Sequence, residues 1–206
     1  MSANQKGTPL GDIARPEDVI RYWVDEVGEK GWYTADDGVD AEITARFATA
    51  WDAARAGGLG DWKCGPDRSL AYLLLTDQFP RNMFRDDPRA FATDRMARSA
   101  TLRALRFQWD MRVPEPARQF FYLPLMHSEV LEDQEKSVRL VLTRMPETGT
   151  STLLHARAHR EVIRRFGRFP HRNAALGRAT TQAEAAFLEA GSYGSVVREL
   201  QSKQAA

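Results

Sequence analysis

Four histidines, His127, His155, His159 and His171, fall in one stretch of the chain. An imidazole accepts or donates a proton near neutral pH, which makes each an acid-base candidate wherever it meets a carboxylate in a cleft. His127 stands in Met126-His127-Ser128-Glu129, followed by Glu132, Asp133, Gln134 and Glu135, and Glu129 is a carboxylate that could orient its ring. Capping of the next helix by Ser128 or Glu129, with His127 on a backbone carbonyl, accounts for the same residues. His155 and His159, four apart, have the spacing of two metal ligands on a helix, with His127, Glu129 or His171 as a third. No glutamate follows His155 directly as in a zinc-protease helix, so no metal and no other cofactor is assigned.

Arginine is the abundant cation. Phe79-Pro80-Arg81-Asn82 returns as Phe169-Pro170-His171-Arg172-Asn173, with Arg85 near the first copy and Arg160, Arg164, Arg165 and Arg168 around the second. Proline stops a helix and extends the residue before it, so each copy is expected to turn the chain and present an Arg-Asn pair just past a helix end. A pocket holding Arg81, Arg168 and Arg172 would take a small anion through bidentate guanidinium contacts. The same arginines can instead close helix C-termini and pair with Asp77, Glu129 and Asp133 as a structural network. Glycine-rich phosphate loops, a G-x-S-x-G elbow and paired-cysteine motifs are absent, which removes the common cofactor enzymes.

The elements that must position these residues are helical. Apolar residues recur at three- and four-residue steps, and strand-like alternation is almost absent. Pro16 opens a first helix with Val19, Ile20 and Trp23 on its apolar stripe, and Ile43, Phe47, Ala50, Trp51 and Ala54 mark a second that ends at Gly57-Gly58. Further helices are expected over 67–78, from Pro88 to about Phe107, from Pro116 to a break near Pro124, over 129–145 with Leu131, Val138, Val141 and Leu142 buried, and over 152–166. Thr181 and Glu184 form a capping box for a last helix that Gly191 closes. Aromatic side chains, including all five tryptophans, are assigned to the core. The expectation is an all-α protein of seven to nine helices in antiparallel hairpins: a flexible arm over 1–14, one domain over 15–191 and a C-terminal tail over 192–206.

Lys plus Arg (29) and Asp plus Glu (28) nearly cancel, leaving +1, so no overall field draws nucleic acid or an anionic membrane. The longest apolar run, Leu70 to Leu75, is far too short to span a bilayer. Cys64 is the one cysteine, which rules out an intrachain disulfide and fits a reducing compartment; it is expected to be a buried or half-buried small residue. A cytoplasmic protein follows from these points.

Several long motifs then occur in a familiar order: Leu75-Thr76-Asp77-Gln78-Phe79-Pro80-Arg81-Asn82, Arg89-Ala90-Phe91-Ala92-Thr93-Asp94, Phe121 to Glu129, Asp133-Gln134-Glu135 and Arg165 to Asn173. From about Val19 to Leu188 the chain resembles domain-of-unknown-function family 924, a mostly bacterial group. The resemblance implies tetratricopeptide-like helix hairpins and no established activity. Its polar positions carry over to Asp77, Gln78, Arg81, Asn82, His127, Glu129, Asp133, His159, Arg168, His171, Arg172 and Asn173, while His155 lies outside the pattern, which weakens the metal pair.

Two functions compete on this footing. In the first, a small anionic molecule is bound by Asp77, Gln78, Arg81, Asn82, Asp133, Arg168, Arg172 and Asn173, with His127, Glu129, His159 and His171 exchanging protons. In the second, the stacked hairpins form a scaffold for a peptide or protein partner and the polar cluster is structural.

Overall fold

A computed structural model describes residues 13–205 of the chain. Most of the arm expected over 1–14 therefore lies outside the described residues, and Ile13 and Ala14 pack against the core. Among the described residues there are nine helices, eight of them seven residues or longer, and no strand. They are α1 (16–31), α2 (Asp37–Arg55), α3 (66–83), α4 (Asp94–Arg106), α5 (Leu123–Met126), α6 (Leu131–Arg144), α7 (Thr150–Phe166), α8 (Gln182–Glu189) and α9 (Ser192–Ala205). No helix among these residues is long and apolar enough to cross a membrane.

Helix α3 is the centre. Residues 69–80 are all buried, and α1, α2 and α4 pack around them. A helix covered on every side is a core helix, which explains its run of four leucines and tyrosine without a polar face. Phe79 sits at the hub, its ring centroid 5.0 Å from that of Phe47, 5.5 Å from Trp23 and 6.4 Å from Tyr22. Helix α4 reaches α3 through small residues, Ala97, Ala100, Thr101 and Ala104, so the two backbones approach closely.

Pro80 does not stop α3, contrary to the expectation from sequence. The α-helical turns Pro66–Leu73 widen into a π-helical stretch, Leu74–Gln78, and α-helical geometry resumes over Phe79–Met83 with Pro80 in its first turn. A proline withholds the N–H that the carbonyl of Thr76, four residues earlier, would accept. The Thr93 hydroxyl supplies that donor instead, at 2.6 Å, and Thr93 in turn accepts from Trp51 Nε1 at 3.2 Å. The second Phe-Pro behaves as expected: Gly167 ends α7 in the left-handed conformation (φ +69), and Pro170–Arg172 form a single 3-10 turn.

Helices α6 and α7, joined by the short 145–149 connection, form an antiparallel pair. Gly149 is required there, because a Cβ would collide with the Met145 carbonyl. Leu131 and Leu142 are exposed rather than buried, and the inner face of α6 carries Asp133, Gln134, Ser137, Val138, Leu140 and Val141. The segment set apart as a tail over 192–206 forms α9 through Ala205 and packs along α7. Its Tyr193, Val196, Val197 and Leu200 recur at helical spacing and join Val162, Phe169 and Phe187 in a second apolar cluster. Cys64 is exposed, not buried.

Candidate functional site

The π-helical turn places Asp77 inside the core, 2% exposed. A buried carboxylate needs partners, and Asp77 has two. Arg81 Nη1 lies 3.3 Å from Oδ1, and His127, at the end of α5, brings Nδ1 to 3.0 and 2.9 Å from the two carboxylate oxygens. Burial pushes the Asp77 carboxyl upward, but Arg81, His127 and Arg172 outweigh it and hold it below the usual range. An ionised Asp77 makes Nδ1 of His127 the donor and leaves the lone pair on Nε2, which has no partner among the described residues. Burial first, and Arg81 second, depress the imidazole below its ordinary pKa, so the ring is neutral and able to accept a proton at pH 7.

Charges alternate outward from this pair. Arg81 Nη2 donates to both oxygens of Asp94, at 3.1 and 3.2 Å, and Asp94 Oδ2 lies 3.6 Å from Arg172 Nη1. The Arg172 guanidinium is packed between the rings of Phe169, 4.4 Å from its centroid, and Phe91, 4.8 Å. The two arginines of the repeated turn thus meet at one aspartate. Their asparagines do not: Asn82 Nδ2 donates to Asp40, and Asn173 Nδ2 to Thr180.

His159 joins from α7, its ring centroid 6.0 Å from that of His127. Its Nδ1 donates to the His155 carbonyl at 2.9 Å, so this ring also keeps its lone pair on Nε2, and burial holds it well below the ordinary imidazole range. His155 shares a hydrogen bond with the Tyr193 hydroxyl. Among the described residues no three His, Cys, Asp or Glu side chains are grouped to hold a metal ion.

Cavities open on both sides of His127. One, of about 450 Å³, is lined by Tyr33, Met126, His127, Thr152, His159 and Tyr193 among others. Another, of about 510 Å³, is lined by Phe91, Asp94, Arg98, His127, Val130 and Arg172 with their neighbours. Gln78, Arg81 and Asn82 also border a smaller hollow of about 220 Å³ beside Arg85, with Gln78 Nε2 donating to Asn82.

Three residues expected in the site belong to other networks. Glu129 does not orient His127; it accepts from Arg178 at 2.8 and 3.0 Å and from the Phe169 backbone N–H at 2.8 Å, fastening the second Phe-Pro turn. Arg168 does not join Arg81 and Arg172, because it donates to both oxygens of Glu184 and to the Ala179 carbonyl. Asp133 accepts from Arg98 and from the Ser128 hydroxyl. His171 is exposed beside the Phe169 ring.

Asp94, Tyr33 and Tyr193 border the site without having been singled out. Asp94 follows Thr93 at the start of α4, where an acidic residue reads as a favourable first-turn charge and gives no sign of its distant arginines. Tyr193 lay in the supposed tail, although its spacing from Val196, Val197 and Leu200 marks a helical face.

Residues 19–192 match the sequence pattern of a family described as bacterial protein of unknown function (DUF924). Among solved structures, the chain is similar to a protein of unknown function from Agrobacterium tumefaciens, 40% identical, with a TM-score of 0.79 over 84% of this chain and 96% of that one. No curated protein matches it.

Proposed function

The chain belongs to the DUF924 family of bacterial proteins, and within that family we propose that it binds a small anionic molecule and moves a proton on it with His127. The observation that carries this reading is the Asp77 to His127 contact, in which a buried carboxylate holds Nδ1 of a neutral imidazole that borders two cavities. Asp77 orients the ring and stabilises the imidazolium formed when Nε2 takes a proton, as a carboxylate does behind any histidine base. His159 offers a second neutral ring across the first cavity. The anionic part of the ligand is drawn by Arg172, and a cytoplasmic setting supplies small metabolites of this kind.

Purified protein incubated with a bacterial small-molecule extract in D₂O tests the proposal by mass spectrometry. The expected result is one species that is consumed or gains deuterium with the wild type and stays unchanged with His127→Gln. Identical profiles for the two proteins would refute it.

The competing scaffold reading draws on Val130, Leu131 and Leu176, which are 44%, 41% and 37% exposed, Val130 and Leu176 on the wall of the second cavity. It expects the tetratricopeptide-like surface to retain peptides of several residues, with His127→Gln binding them as well as the wild type.

A further inference from the structure

Among the arginines in and beside the second cavity, Arg172 stands apart from the exposed Arg95 and from three that are paired with carboxylates. Arg81 is paired with Asp94, Arg178 with Glu129 and Arg98 with Asp133, each through two hydrogen bonds to the carboxylate, although Nε of Arg178 is buried without a partner. The Arg172 side chain is only 7% exposed, yet its guanidinium finds no acceptor among the described residues within hydrogen-bond distance, and Nε is fully buried without one. Its nearest carboxylate oxygen, on Asp94, is 3.6 Å away and already engaged by Arg81. A buried cation with unfilled donors is costly, and an anion that fills them recovers that cost. We infer that Arg172 anchors the carboxylate of a small organic acid whose apolar body lies in the second cavity against Phe91, Val130 and Leu176.

This inference rests on the anion-binding part of the reading above and names its substrate class. Two features, the fork of the guanidinium and the apolar side of the cavity, select a carboxylate with an apolar body. Phe91 and Phe169 stack against the guanidinium, so its donors project edgewise as a planar fork, which matches a planar carboxylate. Asp77 and Asp94 balance Arg81 and Arg172 in charge, so a ligand is held by the unfilled donors of Arg172 rather than by a surplus of positive charge. Burial, and Arg81 after it, pull the guanidinium down to about 10 against the opposing pull of Asp94, Glu129 and Asp77. Pro124, Val130 and Leu176 with Phe91 give the cavity an apolar side, facing a polar one with Arg95, Arg98, Ser128 and Glu129, and a volume of about 510 Å³ suits a small molecule. His127 lines the same cavity, so an acid held on Arg172 presents its body towards the imidazole.

The full chain, labelled with ¹⁵N, is titrated with sodium isovalerate, sodium benzoate and inorganic phosphate at constant ionic strength while the Arg172 Nε–H resonance and the thermal midpoint are followed. Isovalerate or benzoate should shift the resonance saturably and raise the midpoint, with Arg172→Lys weakening binding about tenfold because an ammonium cannot make the fork. His127→Gln should still bind the acid. Carboxylate binding by both wild type and His127→Gln, with no species altered in the extract, would keep the anchor and remove the proton transfer. A wild type that alters a species in the extract while no acid moves the Arg172 resonance would keep the base and overturn the anchor. Phosphate binding tighter than either acid, or acid binding that Arg172→Lys leaves unchanged, overturns the assignment.

Discussion

Asp77 and His127, fifty residues apart in sequence, meet with both carboxylate oxygens within 3.0 Å of one imidazole nitrogen. The contact forms because a π-helical turn in α3 and the end of α5 converge in the core, and it determines which nitrogen of His127 is free to react.

Replacing Asp77 by Asn removes the charge that stabilises an imidazolium while keeping the size of the side chain. Turnover of the species identified with the wild type should fall about 10²- to 10⁴-fold. The histidine should also titrate at lower pH in ¹³C NMR, since Asp77 is what draws its pKa upward against burial. An unchanged rate would show that His127 does not act as a base.

Acid should weaken the fold while Asp77 is still ionised. His127 and His159 titrate below their ordinary value in the folded state, so between about pH 6.5 and their folded pKa values the unfolded chain binds protons that the folded chain refuses. Stability therefore decreases as pH falls through this window, and Asp77, with its lowered pKa, adds its own loss only at more acid pH. Urea midpoints measured from pH 7.5 to 5 should decline, and His159→Gln should flatten part of the slope. A flat profile in the wild type would contradict the assignment of neutral rings.

Thr93 bridges Trp51 and the Thr76 carbonyl that Pro80 leaves without a helical donor. Thr93→Val preserves shape and leaves both groups unsatisfied in a fully buried position, so it should cost about 1–3 kcal/mol of unfolding free energy. Thr93→Ser should recover most of this loss. If valine were tolerated as well as serine, the bridge would not be what lets the helix pass through proline.

Arg168→Ala should lower the thermal midpoint, because Glu184 loses its two donors beside the Thr181 capping box, yet leave the binding of isovalerate unchanged. Loss of acid binding in this variant would place Arg168 in the ligand site after all.

Much of the architecture is legible in local patterns. The stripe Ile43, Phe47, Ala50, Trp51 and Ala54 is the buried face of α2, and Thr181 with Glu184 forms the capping box of α8. Local rules fail where a distant partner intervenes. Pro80 reads as a stop until the Thr93 hydroxyl is seen on the Thr76 carbonyl, and Leu142 reads as core although no element among the described residues covers that side of α6.

The candidate site divides along the same line. By itself the sequence determined the helical stripes, the near cancellation of charge and the set of His, Arg and acidic residues available for chemistry. Only the tertiary structure decided who pairs with whom: Asp77 rather than Glu129 behind His127, Glu184 rather than a ligand on Arg168, and no protein acceptor for Arg172. Side-chain reach along a helix extends three or four residues, so the sequence suggests neighbours such as Glu129. In a chain with 29 cationic and 28 acidic side chains almost any pairing is chemically acceptable, and the packing of α3 against α4 and α5 selects among them.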